Sequence, residues 1–377
     1  FESGIHIYNN VNPAFPTHVA FINVPGNVDI AVKDDILYVD SYIDIVAIDL
    51  SDPTNVREIA RSQDALSYTI PGSMNYDYPV SNIDETKGVV IGYRVAEVEE
   101  TCKNEECGYY YYDDLAVNRG VWEGNMMSED GNAVSFAGNT NNVRSVSNSN
   151  TTGAIAGSMA RFLMIDDFLY VISDQSTIKV FDVSSKNLSL VTTFYPWNEG
   201  GGWGNIETLF SFGDHLFIGS STGMLAYDVS NASSPEYISN YSHMTSCDPV
   251  VANDDFAFVT LRSGTECGSP DMDQLNVLDI QDIMDPQEIG VYELNNPHGL
   301  ALDSDQNLLF VCDGASGLKI FNTAEINSLK EIGSQSGDTY DVIARGNVIQ
   351  VIGDGGLVQY SYDATGSLRE LSRINLN

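Results

Sequence analysis

The feature that most constrains this chain is a unit that recurs along it: two β-rich stretches joined by a short polar pair, then a third stretch ending in an apolar–polar step. VDIAVKDDILYVD from Val28 to Asp40 and RFLMIDDFLYVISD from Arg161 to Asp174 each read as a hairpin. The hairpin returns at Thr208–Gly219, Pro249–Thr260, Gly299–Asp313 and Tyr340–Asp354. The third stretches end at Ile48 and Asp49, Phe181 and Asp182, Tyr227 and Asp228, Leu278 and Asp279, Phe321 and Asn322, and Tyr360 and Ser361. A fourth short stretch follows most of them, often after a proline. Four antiparallel strands in about 40 residues is the arithmetic of a propeller blade.

Helical periodicity is almost absent, and 32 glycines with scattered Asn and Asp fit tight turns, so the expected fold is all-β. Repeat folds reach this size as one body, and residues 1–377 are read as a single β-propeller. Six full units are countable, and Gly4–Tyr8 with His18–Ile22 supplies the last two strands of another. The expectation is therefore seven blades, with six or eight as alternatives. The first two strands of that opening blade are missing from the repeat, and Val89–Ala96 is one candidate to donate them.

The strands DIVAID around Ile45–Asp49, NVLDI at Val277–Ile280 and KVFDVS at Lys179–Ser184 resemble the LVIVD repeat, a bacterial propeller repeat. Similar units cover most of the chain outside residues 61–157. The stretches around Ser158–Phe162, Ser246–Val251, Thr260–Cys267 and Asn296–Leu300 resemble surface lipoproteins of Bacteroidetes that carry this repeat. The resemblance implies an exported propeller, often lipid-anchored, without a defined general activity, and it assigns no catalytic residues.

The chain carries 53 acidic and 17 basic residues, a formal charge of −36 that repels phosphate backbones and anionic membranes. Nucleic acid is excluded as an expected partner; a protein or glycan at a bacterial cell surface is the expected one. Contact with a membrane is expected only through a lipid anchor outside this sequence. Cys102 and Cys107 enclose a polar stretch and read as a disulfide-closed loop, with Cys247 and Cys267 as a second bridge, which favours an oxidising compartment. Cys312, in the apolar run LLFVC, reads as a small buried hydrophobe. Asn150, Asn187, Asn231 and Asn240 fit the glycosylation sequon.

Residues 61–157 interrupt the repeat between blades. They hold Tyr109, Tyr110, Tyr111, Tyr112 and Trp122, read either as a ligand platform or as packing of the excursion on the propeller, and then an Asn/Ser-rich run.

In a propeller the innermost strand begins where the second strand ends, so residues at those points converge on one mouth of the channel. At the inner-strand starts stand Asp29, Arg161, Glu207, Asp248, His298 and Asp341. At the second-strand ends stand Asp40, Asp174, Asp313 and Asp354, a ring that would offer hard oxygen ligands to Ca²⁺ if it converged. The competing reading is that each aspartate caps its own turn. An enzymatic reading enlists His298 as base beside Asp248 and Asp341, with Arg161 or Arg262 as an anion clamp. Against it stand the absence of a nucleophile-elbow, HExxH or phosphate-loop motif, and only five histidines, of which His6, His18 and His215 sit in strand patterns. The expected function is a non-catalytic binding or assembly module. The alternatives are a hydrolase or lyase with a divalent cation at the mouth, and a structural surface protein.

Overall fold

A computed structural model describes residues 4–67, 84–92, 94–95, 158–200, 204–243, 249–263 and 272–375. The chain divides into two compact units, residues 1–66 with 131–377, and residues 67–130. The first unit is the propeller. In the second, Glu85–Lys87 forms one 3₁₀ turn with Lys87 paired to Asp84, and residues 88–92 form no strand. The strand expected to begin at Val89 is therefore not present there.

Among the described residues, six four-stranded antiparallel sheets follow one another along the propeller, and a two-stranded sheet precedes them. This corrects the expected seven blades to six complete ones. The innermost strands are Ile30–Lys33, Phe162–Ile165, Ile206–Phe212, Val250–Ala252, Leu300–Asp303 and Thr339–Arg345. Five of the inner hairpins close on two-residue polar turns and that of blade 5 on four, residues 304–307; Asp34 and Asp35 both take positive φ (46° and 60°), the type I′ geometry that matches strand twist.

The two-stranded sheet pairs Gly4–Asn9 with Thr17–Asn23 and has the form of the outer half of a blade. It carries a register shift between Ile7 and Tyr8, as the third strands of complete blades do between Ala47 and Ile48, Ala226 and Tyr227, Val277 and Leu278, Ile320 and Phe321, and Gln359 and Tyr360. Gly4 opens it at φ 149°, as Gly223 opens its strand at φ 157°; a Cβ at either would lie 2.0 or 2.2 Å from a carbonyl oxygen of the neighbouring strand. Only glycine allows that approach.

The polar residue of the apolar–polar step closes an Asx turn: Oδ1 of Asp49, Asp182, Asp228, Asp279 and Asn322 each accepts the N–H two residues on. In the sixth blade the register puts Ser361 at that place, opposite Val348 as Asp49 stands opposite Ile36, and the turn is capped two residues further on by Asp363, which accepts from Thr365. Asn9 does the same in the half blade, accepting from Val11.

The core lies in the seams between blades. Leu163, Tyr170 and Ile178 of blade 2 pack on Leu209, Ile218 and Leu225 of blade 3. Comparable apolar clusters join blades 1 and 2, 3 and 4, 4 and 5, and 5 and 6. Each fully buried aliphatic side chain there contributes about 1.5–3 kcal/mol. A sixth cluster joins Ile22 and Val24 of the half blade to Val32, Leu37, Val39 and Val46 of blade 1. Toward blade 6 the half blade is held differently, through amides: Asn10 and Gln359 exchange hydrogen bonds of 2.7 and 2.8 Å, and Ser372 donates to the Pro13 carbonyl at 2.6 Å.

Candidate functional site at the channel mouth

The ladder register places the end of each second strand beside the start of its inner strand. The N–H of Ile172 donates to the Arg161 carbonyl, Ser221 to Asn205, Thr260 to Pro249 and Cys312 to Gly299, at 2.8–3.2 Å. The residues expected at one mouth are thus on one face. Asp248 lies outside the described residues, as do Cys102, Cys107, Cys247, Cys267, the Tyr109–Tyr112 run, Trp122 and Asn150. Cys312 is a free, fully buried thiol, and burial pushes its pKa up, so it is inert.

The four aspartates of the expected cation ring each have partners of their own. Asp40 accepts from the N–H groups of Val28 and Asp29 and from Asn27. Asp174 caps Ser176. Asp313 accepts from the Asn295 and Asn296 N–H groups at 2.8 Å each. Asp354 accepts the hydroxyl of Tyr340. Among the described residues no group of three or more His, Cys, Asp or Glu side chains converges as a metal site. The ring does not fit a divalent ion. Burial drives the Asp40 pKa up to about 6 against the pull of its N–H donors.

Asp29 and Asp341 are both buried at inner-strand starts. Asp29 Oδ1 caps Ile30 N–H at 2.7 Å, while Oδ2 reaches across the seam to the N–H groups of Arg161 and Phe162, at 2.6 and 3.1 Å. Arg161 thus enters the site through its backbone. Asp341 Oδ1 likewise caps Val342 N–H at 2.9 Å, but its Oδ2 is buried without a hydrogen-bond partner among the described residues. Its carboxyl lies against Gly299, where a Cβ would come within 1.9 Å of Oδ1. Burial first, and Asp29 after it, push the Asp341 pKa up to about 8, so this carboxyl is largely protonated at neutral pH. Ser158, a residue whose role the sequence did not indicate, accepts Leu300 N–H on its hydroxyl at 2.7 Å and so ties the entry of blade 2 to blade 5.

The chemically distinctive group is a chain across blades 4, 5 and 6. Arg262, just past the second strand of blade 4, places one guanidinium nitrogen 3.1 Å from Nδ1 of His298 and 3.4 Å from its Nε2. Thr260 fixes the His298 backbone by donating to its carbonyl at 2.9 Å. Tyr340 meets the imidazole edge-on at 5.6 Å between centroids and passes its hydroxyl to Asp354. Burial, with the Arg262 charge behind it, lowers the His298 pKa to about 3. An imidazole with so low a pKa is a poor general base at neutral pH, which corrects the expected base role. It is instead a neutral ring that keeps one N–H, with one guanidinium nitrogen of Arg262 within 3.4 Å of both ring nitrogens. Tyr340 and Thr260 carried no sequence signal, because strand-forming Tyr and Thr abound in any blade.

No family model matches the chain, and no curated protein sequence matches it; none names the LVIVD repeat. Solved structures do resemble it along nearly the whole length. A periplasmic gluconolactonase of Pseudomonas aeruginosa is similar at TM-score 0.54 and 13% identity, covering 100% of this chain and 93% of that one. A Bacteroides fragilis protein named as a candidate 6-phosphogluconolactonase is similar at 0.58 and 11%, covering 100% and 92%. A Lactobacillus plantarum protein is similar at 0.59 and 14%, covering 98% and 92%. At such identities the likeness establishes the fold. Two of the three carry lactonase names, which stand against the expected non-catalytic binding module and on the side of its hydrolase alternative.

Proposed function

We propose that this chain is a hydrolase of lactone or ester carbonyls whose electrophilic group is the His298–Arg262 pair. The observation that carries the reading is the 3.1 Å contact between the guanidinium and Nδ1 of a neutral imidazole, which leaves an N–H and a fixed positive charge side by side at the mouth. In lactone hydrolysis, water adds to the carbonyl carbon and negative charge develops on the carbonyl oxygen. The imidazole N–H and the guanidinium stabilise that charge as water adds; collapse of the intermediate then breaks the ring C–O bond, and the water proton ends on the leaving alkoxide. Preorganised donors of this kind are among the largest contributors to acyl-transfer rates.

The lactonase names of the structural neighbours support the substrate class. The formal charge of −36 favours a neutral sugar lactone over its phosphate ester. The same reading places the protein outside the cytoplasm, supported by its acidity and by the periplasmic neighbour. The test is turnover of glucono-1,5-lactone and its 6-phosphate by the purified chain. His298→Ala and Arg262→Ala should each lower kcat about 10²-fold or more. Because His298 stays neutral down to about pH 3, kcat should show no inflection near pH 6.5 from this ring. Absence of turnover on lactones and simple esters would sink the reading.

A further inference from the structure

The half blade carries a second group of aromatic and imidazole side chains that the proposed hydrolysis does not use. His6 lies on Gly4–Asn9 opposite Phe21, and His18 lies on Thr17–Asn23 opposite Tyr8. A regular ladder would set Val19 against Tyr8 and turn His18 to the other face. The bulge between Ile7 and Tyr8 skips Val19 instead, so His6, Tyr8, His18 and Phe21 share one exposed face. There His6 Nδ1 and His18 Nε2 stand 3.1 Å apart. Phe21 lies 4.7 Å from the His6 ring and Tyr8 meets His18 edge-on at 5.1 Å, holding both imidazoles in place.

From this pairing we propose that His6 and His18 form a surface chelate for a borderline transition-metal ion of the Cu²⁺ or Ni²⁺ type. With metal–nitrogen bonds of about 2.0–2.1 Å, nitrogens 3.1 Å apart subtend roughly 95–100° at the ion, the cis edge of a square-planar or octahedral sphere. Imidazole pairs suit these ions, solvent completes the sphere, and the acidic surface raises the local cation concentration. A chelate needs both rings at once, so removal of either should weaken binding as much as removal of both.

The test is titration of the full chain, stripped with EDTA, with Cu²⁺ by calorimetry, paired with electron paramagnetic resonance. One ion per chain is expected, with splittings from two imidazole nitrogens. His6→Ala and His18→Ala should each weaken binding by about tenfold or more and reduce the nitrogen splittings, while His215→Ala should leave both unchanged. Far-UV circular dichroism will show whether the variants keep their strands, and His6→Asn and His18→Asn provide milder versions of the same loss. A spectrum with oxygen ligands alone, or binding that survives both substitutions, overturns the chelate. Lactone turnover is read separately, so failure here leaves the hydrolase reading untouched.

Discussion

Asp29 and Asp341 occupy the same place on two blades, and their surroundings differ in one respect. Each caps the N–H of its following residue with Oδ1. Asp29 then extends Oδ2 across the seam to two N–H groups of the next inner strand, whereas Asp341 Oδ2 finds no such donor among the described residues. The blade that follows Asp29 is complete; what flanks blade 6 is a half blade of two outer strands. A device that staples one seam becomes, where no inner pair stands among the described residues, a buried acid that keeps its proton. The comparison shows how a repeat specifies a residue for a neighbour, so that its chemistry changes when the neighbour does.

The sharpest way to break the comparison is Asp29→Ala. One buried and two half-buried N–H groups lose their acceptor, at about 1–3 kcal/mol for each group left unsatisfied, so a loss of roughly 3 kcal/mol is expected in urea unfolding. A loss below about 1 kcal/mol would show that water replaces the carboxylate and that the staple is not structural.

Asp341→Asn should do the opposite under alkaline conditions. The folded pKa of about 8 lies above the ordinary carboxyl value of 3.8, so between those two limits the folded state holds a proton that the unfolded chain has lost. Stability contributed by this group is fully present below about pH 4 and is lost as pH rises toward 8, with a slope of at most about 1.4 kcal/mol per pH unit. The asparagine variant removes that slope and should be more stable than the parent at pH 8, while the two converge near pH 4. Parallel stability curves from pH 4 to 8 would show that Asp341 is ionised and that a donor reaches Oδ2.

Much of the comparison was legible in the sequence. The apolar–polar step marked the Asx turns because Asp and Asn are the residues whose side chains imitate the next backbone acceptor. Asp29 and Asp341 were picked out by their place at inner-strand starts. Period and alternation say where a side chain stands and nothing about its partners, so the ring of Asp40, Asp174, Asp313 and Asp354 read as one site although each belongs to its own hairpin. His298 and Arg262 were both named, but burial decides that the ring is neutral, and burial comes from three blades meeting. The half blade was visible at Gly4–Tyr8 and His18–Ile22 and was counted as part of a seventh blade; the His6–His18 pair went unseen because it depends on a bulge that strand alternation does not reveal.

The smallest expected effect lies at the joint between blade 6 and the half blade. The other seams are apolar, but here Gln359, buried to 1% exposure, bonds Asn10 on one side and Ser372 on the other. A polar joint gains less from leaving water than an apolar one, about 0.5–1.5 kcal/mol per hydrogen bond, and it opens locally before the molecule unfolds. Gln359→Ala should therefore lower global stability by only about 1 kcal/mol, while amide exchange across Gly4–Asn9 and Thr17–Asn23 quickens more than in any of the six complete blades. If exchange instead quickens evenly across all the blades, the half blade is as tightly built into the propeller as the seam stapled by Asp29, and the contrast between the two ends of the repeat is confined to the single unpartnered oxygen of Asp341.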